Sequence, residues 1–266
     1  MFGLIFCDPT YNIMSKSEIL PQLVAVCHRL YEKGFVAATD GNVSVRLPCG
    51  HLLTTRTAIN KGDVTEADIV EVDASGVPVG GGNLPSTELG MHLFIYQQRP
   101  DVLAVVHAHP PCATGFATAR EPLQGCIFPE VIVGLGAIPL ADYATPSTKE
   151  VPDSLAPHIR SADAVLLANH GVVTCGGDVW DAYYKMEKVE HAAQITLIAR
   201  LLGGEKVLSA RDVEKLLALS EPVYGKNPSG KPACDIQTNG IVQESEEPND
   251  EDPRDMVRRM IRPQIV

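Results

Sequence analysis

Hydrophobic spacing divides the chain into a regular central stretch and two irregular ends. From Ser17 the apolar positions Ile19, Leu20, Leu23, Val24, Cys27, Leu30 and Tyr31 keep helical spacing, and Gly34 follows as a stop, so an amphipathic helix is predicted there. Short apolar runs at 43–47, 52–55, 69–72, 103–107 and 164–167 predict strands, with turn residues at 48–50 and 74–76. Helices are predicted after Ser86, Pro110 and Thr148. The longest, 178–202, has an expected buried stripe of Val179, Tyr183, Met186, Ala193, Leu197 and Leu201. Glu190 falls on that stripe, where a carboxylate needs a bonded neighbour or a subunit contact.

The ends lack this order. Residues 1–16 are expected to form a loose lead-in, 17–225 the folded domain, and 226–266 an acidic, mostly disordered tail. Proline, glycine and acids in the tail cannot bury enough apolar surface to offset the cost of ordering. A short basic helix around 256–260 is expected inside it.

Composition narrows the class. With 266 residues and 45% hydrophobic content, the chain can bury a core without a disulfide or a structural metal. A formal net charge of -11 excludes nucleic acid as the main partner, since such binders present a basic face. No apolar run approaches the roughly 20 residues of a membrane span, and the first residues lack the flank and cleavage site of a signal peptide. Seven cysteines without paired spacing point to reduced thiols. The expectation is a cytoplasmic protein with no membrane partner.

The chemistry-bearing residues lie in the domain. His107 and His109 are two apart on a strand, so their imidazoles share a face and reach one metal ion from one side. His170, in the Asn169-His170-Gly171 turn, completes a three-nitrogen set. Three nitrogens leave a position for substrate, which Glu88, at a helix start, fills at rest or leaves to act as a base.

Read in order, Thr39-Asp40-Gly41-Asn42-Val43-Ser44-Val45, Pro85-Ser86-Thr87-Glu88, His107-Ala108-His109, Tyr143-Ala144-Thr145 and Asn169-His170-Gly171 resemble the class II aldolase/adducin family, and within it the aldolases of ketose 1-phosphates. The resemblance spans about 17–203. It implies a three-layer α/β/α domain around a largely antiparallel sheet, assembled as a homotetramer with sites at subunit contacts. It also implies a sugar-phosphate substrate, cleaved to dihydroxyacetone phosphate and an aldehyde through a zinc-stabilised enediolate. His107, His109, His170 and Glu88 match the ligands of the family's Zn2+, with Mn2+ or Co2+ as alternatives. Glu88 also matches the acid/base catalyst, and Tyr143 a proton donor directed to a neighbouring subunit's site. Gly41, Asn42, Thr57, Ala58, Ser86 and Thr87 match the positions that hold the substrate phosphate. Physical reasoning agrees: Gly41 permits close backbone approach, and Ser86 and Thr87 stand at a helix N-terminus.

Two departures bear on the substrate. The family's Thr-Pro-Thr-Gly segment is Thr55-Arg56-Thr57-Ala58 here, and Lys61 lies just beyond, so extra positive charge is expected to grip a phosphate or a carboxylate. The family's C-terminal tyrosine has no secure match, Tyr224 being the nearest. Sugar-acid phosphate decarboxylases, dehydratases and pentulose-phosphate epimerases share the fold, but the epimerases carry aspartate where Glu88 stands. The adducin head keeps the fold as an interaction module without the chemistry. An iron oxygenase of the double-stranded β-helix type needs a carboxylate after the His-x-His pair, and 110–113 supplies none.

Overall fold

The computed structural model describes residues 14–224 except 124. The expected acidic tail, its basic helix and most of the lead-in lie outside the described residues. The first helix, α1 (Lys16–Glu32), opens on a reciprocal Ser15–Glu18 cap and ends where Gly34 turns the chain with φ +69°. The strands β1 (Asn42–Arg46), β2 (Leu52–Thr55) and β3 (Ile69–Val72) follow as a meander. A single 3-10 turn, Glu66–Asp68, leads into β3. Next come α2 (Leu89–Gln98), β4 (Ala104–Ala108), α3 (Pro111–Ala119), α4 (Pro129–Gly134), β5 (Leu140–Ala141) and α5 (Glu150–Leu155). The chain continues through β6 (Ala164–Leu167), β7 (Gly171–Gly176), α6 (Val179–Leu201) and α7 (Ala210–Tyr224).

The seven strands form one sheet in the order β3-β2-β1-β4-β7-β6-β5, antiparallel except for the β5–β6 pair. Side chains alternate across it. Val43, Val45, Ala104, Val106 and Val172 pack with α1, α3, α4 and α6, whereas Leu52, Val70, Val105, Val165 and Val173 pack with α2 and α5. The result is the three-layer α/β/α arrangement with a largely antiparallel sheet.

Glu190, buried on α6, accepts from the Cys112 and Ala113 amides at 3.0 and 2.8 Å. It thereby satisfies the free amides that open α3, the helix following the His107–His109 segment. The expected stripe of α6 is right at Val179, Tyr183, Met186 and Ala193 and wrong at its end, where Leu197 and Leu201 are exposed. Cys27, Cys49, Cys112 and Cys175 are free thiols, but Cys126 is disulfide-bonded, against the expectation of reduced thiols throughout. Among the described residues no helix is long and apolar enough to cross a membrane.

Candidate metal centre and active site

The β1–β4 register places Asn42 opposite His107, and the β4–β7 register places His107 opposite Val173. Alternation sends His107 to the face of the sheet that α2 covers, where it is fully buried. Its Nδ1 lies 3.0 Å from the Val172 carbonyl. A carbonyl has no proton to give, so Nδ1 donates and the Nε2 lone pair is left facing inward. His109 lies just past the strand end, held by its amide donating to the Phe35 carbonyl at 2.8 Å. His170 is presented by a tight turn in which Asn169 takes φ 55°, a conformation that asparagine tolerates.

Two glycines make the convergence sterically feasible. A β-carbon on Gly171 would lie 2.5 Å from His109 Cδ2 and 2.6 Å from the Ala108 carbonyl oxygen. One on Gly41, which has φ +72°, would lie 2.6 Å from Val36 Cγ1 and 2.9 Å from the His107 carbonyl oxygen. Any side chain at either position would push the histidine strand outward.

The three imidazoles offer ligand atoms that all lie within 4.8 Å of one another. His107 Nε2 and His109 Nε2 are 3.2 Å apart. Glu88 stands across from them, with Oε1 3.2 Å from His170 Nε2 and Oε2 3.4 Å from His107 Nε2. Tetrahedral zinc with bonds of roughly 2.0–2.1 Å has ligand atoms about 3.4 Å apart, so these spacings suit such an ion. The donor set fits the group that the sequence implies.

Burial pushes the His107 imidazole down to about 3, which keeps it neutral and able to ligate. Burial also lowers His109. For Glu88, burial acts upward, but His107, His170 and a hydrogen bond from Asn42 outweigh it and hold the carboxyl well below its usual range. Asn42 Nδ2 donates to Glu88 Oε2 at 2.9 Å, while its own Oδ1 is buried without a partner.

The remaining expected residues fall into three groups. Thr57 and Ala58 lie against the Ser86–Thr87 segment, because the Thr57 amide donates to Leu84 O and the Ser86 amide to Thr55 O, which holds the first segment beside the loop that leads to Glu88. Ala58 has φ 54° where the family pattern has glycine. Glu88 is the N-cap of α2 and not a first-turn residue. Tyr143 is 53% exposed, and the neighbouring Asp142 shares a small cleft with His170.

Both expected extra cations are turned to other tasks. Arg56 Nε donates to Asp68 at 2.8 Å, and Lys61 is buried with its ammonium on backbone carbonyls. Neither is an open grip. Asp40, which sequence reasoning left without a role, places Oδ2 3.6 Å from His109 Nδ1, the nitrogen turned away from His107. Its place beside Gly41 in the first motif was the available signal. His92 is buried, neutral because burial pushes it down to about 4, and bonded through Nδ1 to Ser44 Oγ at 2.6 Å.

A three-layer sheet protein with a centre of three histidines and one glutamate is the class that these observations define. The chain belongs to the class II aldolase and adducin family: residues 21–197 match the family described as Class II Aldolase and Adducin N-terminal domain. An L-fuculose phosphate aldolase of Methanococcus maripaludis is 34% identical over 179 residues, covering 67% of this chain and 96% of the relative. A solved L-fuculose 1-phosphate aldolase superposes with TM-score 0.72 at 33% identity, covering 80% of this chain and all of that one. The crystal structure of YgbL from Klebsiella pneumoniae, described as a putative aldolase/epimerase/decarboxylase, superposes with TM-score 0.70 at 28% identity, covering 76% of this chain and 99% of that one.

Proposed function

We propose that this chain is a divalent-metal aldehyde-lyase that cleaves a ketose 1-phosphate of the L-fuculose type to dihydroxyacetone phosphate and an aldehyde. The observation that carries the reading is the centre itself, in which the two oxygens of one carboxylate each face a different histidine of the cluster. His107, His109 and His170 would hold the ion, with Glu88 as a displaceable fourth ligand. When bound, a zinc ion would act as a Lewis acid toward the negative charge left on the ketone half as the carbon–carbon bond breaks. Mn2+ or Co2+ would serve the same role. No lysine is then needed as an electron sink.

Glu88 moves the proton at the ketone carbon. Asn42 orients its carboxylate by donating to Oε2, and the amides at the start of α2 favour its ionised form. After cleavage the ketone half takes a proton at carbon, and in the synthetic direction Glu88 removes it. Tyr143, contributed by a neighbouring copy of the chain, exchanges a proton with the hydroxyl of the aldehyde half. Its exposure supports this role, which makes the active form an oligomer, a homotetramer by family resemblance. Gly41, Asn42, Thr57, Ala58, Ser86 and Thr87 receive the phosphate, with Ser86 and Thr87 just ahead of the first amides of α2. Residues 17–225 form the catalytic unit.

The related decarboxylase, dehydratase and epimerase readings draw less support. The decarboxylase and dehydratase readings rested on extra cations, of which Arg56 is paired with Asp68 and Lys61 is buried on backbone carbonyls. The epimerase pattern has aspartate where Glu88 stands. An adducin-like interaction module would have no use for the three-histidine cluster. Incubating the metal-loaded protein with a panel of ketose phosphates and sugar-acid phosphates, followed by mass spectrometry, tests the reading. Dihydroxyacetone phosphate released from a ketose 1-phosphate supports it. Carbon dioxide, loss of water or an isomer of unchanged mass as the sole product would overturn it.

A further inference from the structure

Lys61 is a buried charge that the proposed chemistry does not use. Its side chain is 1% exposed, and its ammonium donates to the Ile59 carbonyl at 2.8 Å and the Thr39 carbonyl at 3.2 Å. No carboxylate pairs with it among the described residues. The buried neighbour Cys27 supplies no anion either, because burial pushes its thiol up to about 12. A buried ammonium without a counter-ion is costly, and a hydrophobic residue of similar volume would avoid that cost.

Its two acceptors show what the charge accompanies. Thr39 leads into Gly41 and Asn42, and Ile59 follows Thr57 and Ala58, so one ammonium joins two of the segments that would receive the phosphate. The third, Ser86 and Thr87, is tied to the second through the Thr57 and Ser86 amides. A charge balance points the same way. Asp40 and Glu88 are acidic and close enough to act on Lys61, and Arg56 is committed to Asp68. A dianion held by neutral donors there would meet two carboxylates, and Lys61 adds to the divalent ion at the histidines a second positive charge that offsets them.

We propose that Lys61 is a positioning residue for a phosphate-class anion: from beneath the site it ties the 39–42 and 57–59 loops together and supplies positive potential without touching the ligand. This rests on the phosphate reading of those loops. The test titrates inorganic phosphate into the metal-loaded full chain by calorimetry, for wild type, Ser86→Ala, Lys61→Gln and Lys61→Met. Wild type binds, and Ser86→Ala binds more weakly. Both Lys61 variants bind at least about tenfold more weakly, and KM for the phosphorylated ketose rises more than kcat falls.

Lys61→Gln or Lys61→Met binding phosphate as wild type does would overturn the role of Lys61 and leave the phosphate reading standing. Wild type that binds no phosphate, or binds it no better than Ser86→Ala, would overturn the phosphate reading itself. Should neither Lys61 variant fold, the wild-type chain labelled with 15N at lysine Nζ still decides. The protected Lys61 ammonium resonance is expected to shift along the phosphate titration, and a resonance that does not move would sink the proposal.

Discussion

Gly171→Ala adds a single methyl group to the turn after His170 and should undo the metal centre. The new carbon would stand 2.5 Å from His109 Cδ2 and 2.6 Å from the Ala108 carbonyl oxygen, roughly an ångström inside ordinary contact distance. The imidazole can swing, but the Ala108 carbonyl belongs to β4, whose Ala108 is paired with Val172 of β7. Overpacking of this kind costs about 1–3 kcal/mol. At about 2–4 °C per kcal/mol for a domain of this size, the metal-free protein should melt roughly 2–12 °C lower. Displacing the His109 ring by about 1 Å should cost at least as much metal affinity as losing an outer hydrogen bond, about 10–100-fold. Competition with a chromophoric chelator measures the affinity, and calorimetric melting of the stripped protein measures the packing cost. A variant with wild-type zinc affinity and wild-type melting would refute the claim that this glycine makes room for the histidine.

Other perturbations follow from the same geometry. Glu190→Ala leaves the amides of Cys112 and Ala113 without their acceptor and should destabilise the fold by about 2–4 kcal/mol in chemical denaturation, with Glu190→Gln costing less. Asp68 is held down to about 2 by its hydrogen bonds from Arg56 and Thr65. A lowered carboxyl contributes stability that is present above its unfolded value near 3.8 and is lost as pH falls toward 2, so Asp68→Asn should flatten the stability profile in that window. Glu88→Gln should keep the fold and much of the metal but lower turnover by about 100-fold or more, read in a steady-state assay with metal content measured alongside.

Much of the fold is legible in the sequence because its strands alternate or run apolar between turn residues. The segments 52–55, 69–72 and 164–167 coincide with β2, β3 and β6, and the strands expected at 43–47 and 103–107 each differ by one residue from β1 and β4. β7 escaped notice because Gly171–Gly176 begins and ends in glycine and lies directly after a turn motif. α4, six residues long, is too short to show a period and packs against α7, remote in sequence, whereas α7 carries a helical period in Val213, Leu216 and Leu217 that was there to be read. Leu197 and Leu201 keep the period of α6 yet stay exposed, because periodicity records a face and not whether anything packs on it. At the centre, strand alternation, a local property, gives the direction of His107, whereas His109 lies past the end of β4 and is held by the Phe35 carbonyl, and His170 comes in on a turn remote in sequence. The direction of a long cation is not local: Arg56 turns to Asp68 and Lys61 inward, and only the assembled loops decide that.

Proton exchange at carbon tests the central claim most directly. Dihydroxyacetone phosphate alone, incubated with the metal-loaded protein in deuterated water, should exchange one carbon-bound hydrogen for deuterium, followed by NMR. The wild type should catalyse this without any aldehyde present, and Glu88→Gln should slow it by about 100-fold. Exchange at equal rates in both proteins would remove Glu88 from the chemistry. No exchange in the wild type, under conditions where the centre holds its metal, would contradict the aldolase assignment.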